Sequence, residues 1–583
     1  MSAVTSTSPL TSGARPERPE HLAKAAFVVL LVLAFALILI ETRGLSFFAD
    51  EWDFLLDRRG MSARVLLTPH GPHLSLVPVL IYKALLQVFG SSSYLPFRCM
   101  AAIDLVLLAW TVGVVSRREW GPWWGLIPVL LLVALGPGYT TLLYPFQVGY
   151  TLGLVGGMLC LVTLRWRTPR GDILACSCLL LSLASASQGV GFAAGAALLL
   201  VTTDGWRYRN WIRRAWVVAI PVALYVAWYL DYGRQASESE LSLWSKAFWY
   251  TLNGVAATIS GLFALTKVQS DGLLDPSLGW PILLGAVLAV VYAAARGWRP
   301  QKAVWAPVVT LLVLWFTTAL SNTPEIPRAF NDPRYLSSNG SILLIVVCMT
   351  IPRPRLPRRI GGLMIALVGV IALANVSQYA PGRAALRASM TYTRAKTGAL
   401  LVMRGSVRPS FNPSFIAHNP GVTTNITAGT FFSAYESFGT FLSDSPSQIR
   451  LTPEAVRAVV DNELQRGERL QLSEATRGAS PIEPAPTVLR GAGRIDKGCE
   501  LLISADVVVE ASPGTYVLTA PRRTAVKSAV ARFASSSVVD LGSVPPHRSE
   551  TLSIPDDHAA SVPWRLDLVG RGGLVCRTTS ANS

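Results

Sequence analysis

Apolar runs follow one another along the chain between Ala25 and Gln378, and they constrain the fold more than any other feature. Several approach the roughly 20 residues that a helix needs to cross a bilayer. Only 15% of the 583 residues are charged, whereas a soluble domain carries about a quarter. The sequence therefore predicts an α-helical polytopic membrane protein with about eleven transmembrane helices, surrounded by membrane lipids and followed by a polar tail.

Basic residues collect in five short loops between the apolar runs, where only Glu119, Asp172 and Asp204 oppose them. The loops contain Arg117 and Arg118; Arg165, Arg167 and Arg170; Arg207, Arg209, Arg213 and Arg214; Arg296, Arg299 and Lys302; and Arg353, Arg355, Arg358 and Arg359. Basic residues concentrated in alternate short loops mark the cytoplasmic side of a membrane protein. The net charge of +17 thus orients the chain, and we expect no nucleic-acid partner.

The charge pattern also sets the predicted topology of the first part. Residues 1–24, rich in Ser, Thr and Pro, are predicted to be a disordered cytoplasmic tail. Residues 25–378 form the transmembrane domain, with the loop 41–96 outside. If Ala247–Leu265 crossed the membrane, the next basic loop would lie outside, so this segment is predicted to enter from the outer face without crossing. The resulting odd number of spans places the rest of the chain outside the cytoplasm.

The polar tail has two predicted parts. Residues 379–490 are an extracytoplasmic connector with one short helix. Over residues 491–583 short β-type runs recur between turn residues, which predicts a β-sandwich-like domain. Cys499 and Cys576 bracket this domain and are a candidate disulfide, in an oxidising compartment, that would join its first and last strands. The other cysteines of the seven lie in or beside apolar runs, where a free thiol packs as a small hydrophobe.

Three carboxylates, Asp50, Glu51 and Asp53, stand just after the first apolar run. A helix beginning near Asp50 would turn Asp50 and Asp53 to one side and Glu51 to another. One interpretation is structural, because acidic residues stabilise the N-terminus of a surface helix. The other is catalytic, because the carboxylates lie at a membrane edge, close in sequence to His70 and His73.

Several short motifs resemble those of the GT-C fold, a class of integral-membrane glycosyltransferases that use lipid-phosphate-linked sugars. They are Asp50-Glu51 directly after the first span, the stretch His70–His73, the amphipathic segment Leu74–Gly90, Tyr94–Arg98 leading into the second span, and the late motif Asp332–Leu336. The overall pattern, including Tyr144–Gly149 and the C-terminal β-part, is most similar to uncharacterised bacterial members, and it covers the membrane part as far as Val376. A third carboxylate, Asp53, departs from the usual pair and leaves open whether Asp50 or Asp53 is the working group.

The resemblance implies a hexosyl- or pentosyltransferase of the bacterial cell envelope. Its donor would be a sugar linked to polyprenyl phosphate, and its acceptor a glycan, a lipid or a protein. Such a reaction needs a carboxylate that takes the proton of the acceptor hydroxyl. It also needs a cation that holds the departing phosphate, for which the forked guanidinium of arginine is well suited. Asp50 is the predicted base and Arg334 the predicted phosphate clamp, and a single displacement would invert the anomeric configuration.

The predicted substrate-binding residues are His70, His73, Arg98, Arg328, Arg334 and Tyr335. For Arg328, a surface ion pair with Asp332 or Glu325 is an equally good interpretation. The two histidines alone fall short of the three or four ligands of a metal site. We therefore predict no metal ligands and no certain cofactor, with the histidines contacting phosphate or acceptor or capping the next helix. A divalent metal is the alternative.

Two other functions fit parts of the sequence. Many spans and broken helices also suit a transporter or lipid flippase, although the charged residues concentrate in outer loops and no inverted repeat is visible. A non-catalytic envelope protein that binds glycan through its β-domain is the third interpretation, but about eleven spans exceed what an anchor requires. The transferase alone predicts that Asp50 lies within one sugar-phosphate length of Arg334.

Overall fold

The computed structural model describes residues 17–204, 212–236, 244–269, 272–322, 328–355, 357–413, 427–475, 485–559 and 561–578. The chain separates into two compact units. The helical unit comprises Met1–Arg43, Leu67–Pro78 and Phe97–Arg383, and the mixed unit comprises Gly44–Leu66, Val79–Pro96 and Ala384–Ser583. The loop predicted over residues 41–96 is therefore divided between the two units.

Helices account for most of the described chain as far as residue 468. They are α1 (Glu17–Glu41), α2 (Ala63–Leu67), α3 (Leu76–Phe89), α4 (Leu95–Trp120), α5 (Leu126–Val133), α6 (Tyr139–Leu142), α7 (Val148–Leu164), α8 (Pro169–Ser185), α9 (Gln188–Asp204), α10 (Trp216–Asp231), α11 (Trp244–Leu262), α12 (Gly279–Ala295), α13 (Trp305–Leu320), α14 (Leu336–Thr350), α15 (Arg358–Val376), α16 (Tyr379–Val402), α17 (Ala428–Phe438), α18 (Pro446–Arg450) and α19 (Glu454–Glu468). A π-helical turn, Asp53–Asp57, precedes α2.

Five helical stretches among the described residues are long and apolar enough to cross a membrane. They are Glu20–Glu41, Leu95–Trp120, Pro145–Leu164, Lys302–Leu320 and Arg359–Val402. Large apolar side chains on α12 and α15 face outward, and Leu288 and Leu373 are 59% and 73% exposed. Apolar surface of this kind suits lipid rather than water as the solvent. The mostly helical, apolar character of the fold is as predicted, while the number of spans and their orientation stay predictions.

Small residues allow α7 and α8 to pack closely. The Ser182 hydroxyl donates to the carbonyl of Gly153 at 2.6 Å, and a Cβ on Gly156 would lie 2.7 Å from the carbonyl oxygen of Cys178. In a lipid bilayer, helices associate through such close contacts rather than by exclusion of water. The junction between α8 and α9 is thereby held beside α7, and this junction contributes to the cavity described below.

The segment Ala247–Leu265, predicted to enter the membrane without crossing, is contained mainly in the single helix α11. A Cβ on Gly254 would clash with the indole ring of Trp315 on α13, and a Cβ on Gly261 would lie 2.8 Å from the Leu336 side chain of α14. The two glycines therefore seat α11 against α13 and α14. That α11 enters the membrane without crossing it stays a prediction.

Two antiparallel sheets form the C-terminal part of the mixed unit. Their strands are β1 (Ser473–Glu474), β2 (Val488–Arg490), β3 (Gly493–Asp496), β4 (Cys499–Leu502), β5 (Asp506–Ala511), β6 (Gly514–Thr519), β7 (Val526–Ala531), β8 (Val539–Val544), β9 (Ser549–Ile554), β10 (Trp564–Val569) and β11 (Leu574–Thr578). The strand orders are β1-β9-β6-β11-β4-β3 and β2-β5-β10-β7-β8. Burial alternates along β6 and β10, so each sheet has one buried face. The predicted C-terminal β-sheet region is confirmed.

A disulfide joins Cys499 on β4 to Cys576 on β11, with the two Cα atoms 4.3 Å apart. The two residues lie opposite each other in neighbouring antiparallel strands. The sequence predicts that this bond joins the first and last strands, but β1, β2 and β3 precede β4. These three strands are two to four residues long, and runs that short carry too little alternation to be recognised.

The structure differs from the sequence prediction in two further places. Helix α1 begins at Glu17, within the predicted disordered tail, and residues 1–16 lie outside the described part of the chain. The connector, predicted to hold one short helix, contains α16 to α19. Residues of α16 are buried at helical spacing: Leu386, Met390, Thr393, Thr397 and Leu400. Because threonines interrupt this series, the apolar period of the helix is weak.

Candidate active site

The three predicted catalytic carboxylates lie in a tight turn of the mixed unit. Ala49 has a φ of 44°, in the left-handed region that costs a residue with a Cβ about 1–2 kcal/mol. The backbone N–H groups of Glu51 and Trp52 each donate at 3.1 Å, to the carbonyls of Phe48 and Ala49 respectively. This abrupt change of chain direction gives neighbouring carboxylates different surroundings.

Glu51 is fully buried and accepts hydrogen bonds from three groups. The Tyr82 hydroxyl donates to Oε1 at 2.6 Å, the Tyr94 hydroxyl to Oε2 at 2.9 Å, and the Phe48 N–H to Oε2 at 2.9 Å. Desolvation raises the pKa of Glu51 to about 8, against the opposing effect of these hydrogen bonds. Near neutral pH Glu51 is therefore mostly protonated, so that its own proton can be donated to one of the two tyrosine oxygens, and it ties the turn to α3 and to the start of α4.

Asp50 and Asp53 have contrasting surroundings. Asp53 is 8% exposed, and its Oδ2 lies 3.5 Å from Nε of Arg58. Desolvation, and then the charge of Asp53, raises the pKa of the nearby Asp57 to about 6. Asp50 is only half-buried. Of the three predicted carboxylates, Asp50 is therefore the most accessible to a bound molecule.

Aromatic rings pack around the turn. Phe47 meets Tyr94 edge-on with ring centroids 5.0 Å apart, and Trp52 lies 5.2 Å from Phe441. Phe431 extends the cluster, with its centroid 5.4 Å from that of Phe441. Edge-to-face and tilted arrangements of this kind are favourable beyond the apolar area they bury. The cluster holds the backbone around Asp50 in one conformation.

The predicted substrate-binding histidines form a narrow turn in the helical unit. The N–H groups of His70 and His73 donate to each other's carbonyls at 3.0 and 3.1 Å. Gly71 between them has a φ of 52°, a conformation that glycine adopts without steric cost. The ring of His70 meets that of Phe146 edge-on at 5.0 Å. The turn thus fixes both rings at the edge of α7.

The imidazole of His73 is bonded through both nitrogens. Nε2 lies 3.0 Å from the Tyr150 hydroxyl, and Nδ1 lies 2.7 Å from the Ser187 hydroxyl. Burial, followed by the positive charge of Arg328, lowers the pKa of His73 to about 3. A neutral ring with both nitrogens engaged orients two hydroxyl groups. Within the described residues no group of three or more His, Cys, Asp or Glu could hold a metal ion.

A cavity of about 450 Å³ lies beside His73 in the helical unit. Its apolar wall is formed by Pro72, Leu183, Val190, Ala193, Val222, Val226, Leu314, Trp315 and Leu320. Polar residues also line it: His73, Tyr150, Ser187, Gln188, Tyr225, Tyr229, Thr317, Thr318, Ser321, Arg328, Tyr335, Ser338 and Asn339. The volume is in the range of small-molecule sites. A cationic group in a largely apolar cavity suits an amphiphilic anion.

The two predicted arginines differ in their contacts. Arg328 lines the cavity together with Tyr335. Arg334 is held by Asp332, with Nε 2.9 Å from Oδ2, and its guanidinium lies over the Tyr335 ring at 5.0 Å. Glu325, the other proposed partner of Arg328, lies outside the described residues. The structure thus brings His73, Arg328 and Tyr335 to one cavity, with Arg334 against the Tyr335 ring.

Arg98 has contacts that point to a structural role. Its Nε donates to the Thr42 hydroxyl at 3.2 Å, and a terminal nitrogen donates to the carbonyl of Leu39. Leu39 is in the last turn of α1, whose final carbonyls have no partner within the helix. Arg98 therefore caps α1, and its contact with substrate stays a prediction.

Asp50 belongs to the mixed unit, whereas Arg328 and Arg334 belong to the helical unit. Each group of contacts described above is internal to one unit. The predicted separation of one sugar-phosphate length between the base and the clamp accordingly stays a prediction.

Sequence reasoning missed the polar residues Tyr150, Ser187, Gln188 and Ser338. All four lie within or between apolar runs. A polar side chain at membrane depth is costly unless it faces protein or a cavity. Their occurrence within apolar runs is therefore the sequence signal by which these residues could have been recognised.

Comparisons with known proteins leave the family open. No protein-family profile matches the sequence. No curated protein matches it. Among solved structures the chain is similar to the crystal structure of ArnT from Cupriavidus metallidurans bound to undecaprenyl phosphate. The TM-score is 0.41 at 12% identity, over 75% of this chain and 91% of that one. A similarity this distant supports neither a family nor a function for this chain.

Proposed function

We propose that this chain is an integral-membrane glycosyltransferase that moves a sugar from a polyprenyl-phosphate donor to an acceptor outside the cytoplasm. The observation that carries the proposal is the cavity of the helical unit, which combines an apolar wall with the guanidinium of Arg328. The apolar wall suits an isoprenoid chain, and a guanidinium suits the phosphate oxygens that the chain carries.

In the proposed reaction the oxygen of an acceptor hydroxyl attacks the anomeric carbon of the donor sugar. The new carbon–oxygen bond forms as the bond to the phosphate oxygen breaks, and the phosphate leaves with the electron pair. Asp50 takes the hydroxyl proton as general base. Arg328 and Arg334 stabilise the negative charge that develops on the leaving phosphate. One such displacement inverts the anomeric configuration.

The other predicted site residues support these groups in the proposal. Glu51, satisfied by Tyr82 and Tyr94, acts as a positioning residue that fixes the turn before Asp53. His70 and His73 hold the loop beside the cavity. Tyr335 packs against Arg334 and fixes the direction of its guanidinium.

The disulfide between Cys499 and Cys576 supports an extracytoplasmic location for the mixed unit. Disulfides persist in oxidising compartments and are rare in the cytosol. Asp50 lies in the same unit, so the acceptor in this proposal is an envelope glycan, lipid or protein.

The test uses the full chain in proteoliposomes with polyprenyl phosphate carrying radiolabelled glucose, mannose or arabinose, together with an envelope fraction as acceptor. We expect Asp50→Asn to lower transfer by about 10²–10⁴-fold, the usual contribution of a general base. Asp53→Asn should lose less than about tenfold per folded molecule, because its ion pair with Arg58 is structural. Arg328→Gln should raise the KM for the donor.

The matched control is Arg299→Gln, an exposed arginine of a basic loop, for which transfer should be unchanged. Unimpaired transfer by Asp50→Asn would exclude that residue as the base. If the intact lipid-linked sugar crossed the vesicle membrane and no polyprenyl phosphate was released, the protein would instead be a flippase.

A further inference from the structure

Two connections of the helical unit pack against each other: the turn between α4 and α5, and the loop between α14 and α15. The indole N–H of Trp120, at the end of α4, donates to the carbonyl of Ile351 at 3.0 Å. A Cβ on Gly361, in the first turn of α15, would lie 3.6 Å from the ring of Trp124. The two connections therefore form one surface of the helical unit.

Arg353 of the α14–α15 loop lies directly over the α4–α5 turn. A Cβ on Gly121 would be only 2.7 Å from the central carbon of the Arg353 guanidinium. Gly121 also has a φ of 84°, which glycine adopts without steric cost. The glycine thus leaves the space that the guanidinium occupies, and a side chain at this position would displace Arg353.

This surface is basic. Four of its arginines are exposed: Arg118, Arg353, Arg355 and Arg359. Within the described part of the chain none of these four forms an ion pair. The carboxylate of Glu119, which follows Arg118 in the chain, is engaged by Arg165 at 3.1 Å. Arginines left unpaired in this number are complementary to an anionic ligand.

Apolar surface adjoins the arginines. Directly after Arg359 the outward residues of α15 are apolar, and Leu363 among them is 70% exposed. Trp123, in the α4–α5 turn, is 48% exposed, and tryptophan is enriched at the level of lipid headgroups. A ligand that fits both parts carries an anionic group together with apolar chains, as a phospholipid does. Free phosphate or a soluble acidic protein would leave the apolar part uncovered.

We infer that the α4–α5 turn and the α14–α15 loop form a binding site for an anionic phospholipid, with Arg353 in contact with the headgroup phosphate. The other exposed arginines add to the attraction, and the acyl chains lie along α15. The site shares no residue with the cavity beside His73. The inference therefore rests on the membrane location of the helical unit and is independent of the proposed transfer reaction.

The test measures lipid binding by the full chain in a non-ionic detergent. Native mass spectrometry would count the molecules of dioleoyl phosphatidylglycerol or dioleoyl phosphatidylcholine that the chain retains as each lipid is titrated. The wild type should bind phosphatidylglycerol at least about tenfold more tightly, because each arginine near a lipid surface contributes about fivefold in affinity for an anionic lipid. Arg353→Gln should weaken phosphatidylglycerol binding by about fivefold and change phosphatidylcholine binding by less than about twofold.

Two pairs of variants separate the site from general charge and from backbone strain. Arg299→Gln removes an exposed arginine from another basic loop and should change the affinity for phosphatidylglycerol by less than about twofold. Gly121→Ala keeps the charge but displaces Arg353, so it should weaken that affinity by about two- to fivefold. Gly297→Ala is its control, because Gly297 has a φ of 86° and a Cβ there would meet nothing within 4 Å. The unfolding midpoint of each variant checks that it is folded.

Three results would overturn the inference. Equal affinity of the wild type for the two lipids would show that the surface does not select an anionic headgroup. Equal weakening by Arg299→Gln and Arg353→Gln would replace the site by a diffuse attraction to all the basic loops. Displacement of phosphatidylglycerol by inorganic phosphate, at an ionic strength matched with sodium chloride, would make free phosphate the ligand. None of these measurements involves sugar transfer, so a failure of the proposed function would leave the inference intact.

Discussion

The two units each bury a polar cluster, and the clusters differ in how completely they are satisfied. In the mixed unit Glu51 accepts from two tyrosines and one backbone N–H. In the helical unit His73 is satisfied, but the buried Oε1 of the nearby Gln188 has no hydrogen-bond partner among the described residues. A complete network stabilises one conformation of the chain. An incomplete network leaves a buried acceptor unpaired, at a cost of about 1–3 kcal/mol, so the two clusters are expected to contribute differently to stability.

The clusters also shift pKa values in opposite directions. Burial raises the pKa of Glu51 to about 8 and, together with neighbouring positive charge, lowers that of His73 to about 3. Both groups are consequently mostly neutral near pH 7. The titration of each group predicts a pH dependence of stability. The two dependences have opposite signs, so an experiment can tell the two clusters apart.

The largest expected effect is that of Glu51→Ala on stability. Removing the carboxyl leaves the buried Tyr82 and Tyr94 hydroxyls without their hydrogen-bond partner. We expect this to cost about 2–4 kcal/mol in the free energy of unfolding. Thermal unfolding of the full chain in detergent at pH 7 measures the loss. Glu436→Ala, an exposed surface carboxylate, serves as control and should change stability by less than about 0.5 kcal/mol. A loss of stability no larger than that of the control would show that Glu51 does not anchor the turn.

The second expected effect is a loss of stability with rising pH that depends on Glu51. Because the folded pKa lies above the unfolded value, the contribution is complete below about pH 4.5 and is lost as pH rises toward 8. Between pH 5 and pH 7 the change should be about 2 kcal/mol. The slope should disappear in Glu51→Gln, whose amide does not titrate. A slope that persists in Glu51→Gln would have to come from another group.

A smaller effect of opposite sign is expected for His73. Its folded pKa lies below the unfolded value, so its contribution is present above about pH 6.5 and is lost as pH falls toward 3. His73→Phe should cost about 1 kcal/mol at pH 7, because the hydroxyls of Tyr150 and Ser187 lose a hydrogen-bond partner but belong to residues that are only half-buried. It should also flatten the acid limb of the stability curve. An unchanged acid limb would mean that the imidazole titrates normally.

The smallest expected effect on stability is that of Gln188→Leu. The substitution removes one hydrogen bond to Ser338 and also removes the unsatisfied Oε1, so the two terms oppose each other and should nearly cancel, to within about 0.5 kcal/mol. The measurement is the unfolding midpoint of the full chain without added lipid. A loss as large as that of Glu51→Ala would mean that the two clusters contribute equally to stability.

Much of the local structure follows from sequence patterns. The apolar run Val148–Leu164 is a helix with those ends, and the alternation in Trp564–Leu568 corresponds to β10. These elements depend on short-range periodicity, which one sequence displays. The helix α16 was missed because polar residues such as Thr393 and Thr397 occupy its buried face.

The site was harder to predict than the elements. Asp50, Glu51 and Asp53 are adjacent in sequence, yet burial differs sharply between Glu51 and Asp50. That difference depends on Tyr82 and Tyr94, which lie 31 and 43 residues from Glu51 in the chain. Pairings over such distances depend on tertiary packing, which carries no local pattern.

The order of strands in the β-region has a consequence for synthesis. Strand β10 lies between β5 and β7, and β11 lies between β6 and β4, so the last two described strands occupy interior positions in their sheets. Neither sheet is complete until residues 564–578 have left the ribosome and reached the compartment of folding. Earlier strands wait with unpaired edges, which are prone to aggregation. Released chains that end before residue 564 should therefore bind chaperones more strongly than released chains that include residues 564–578.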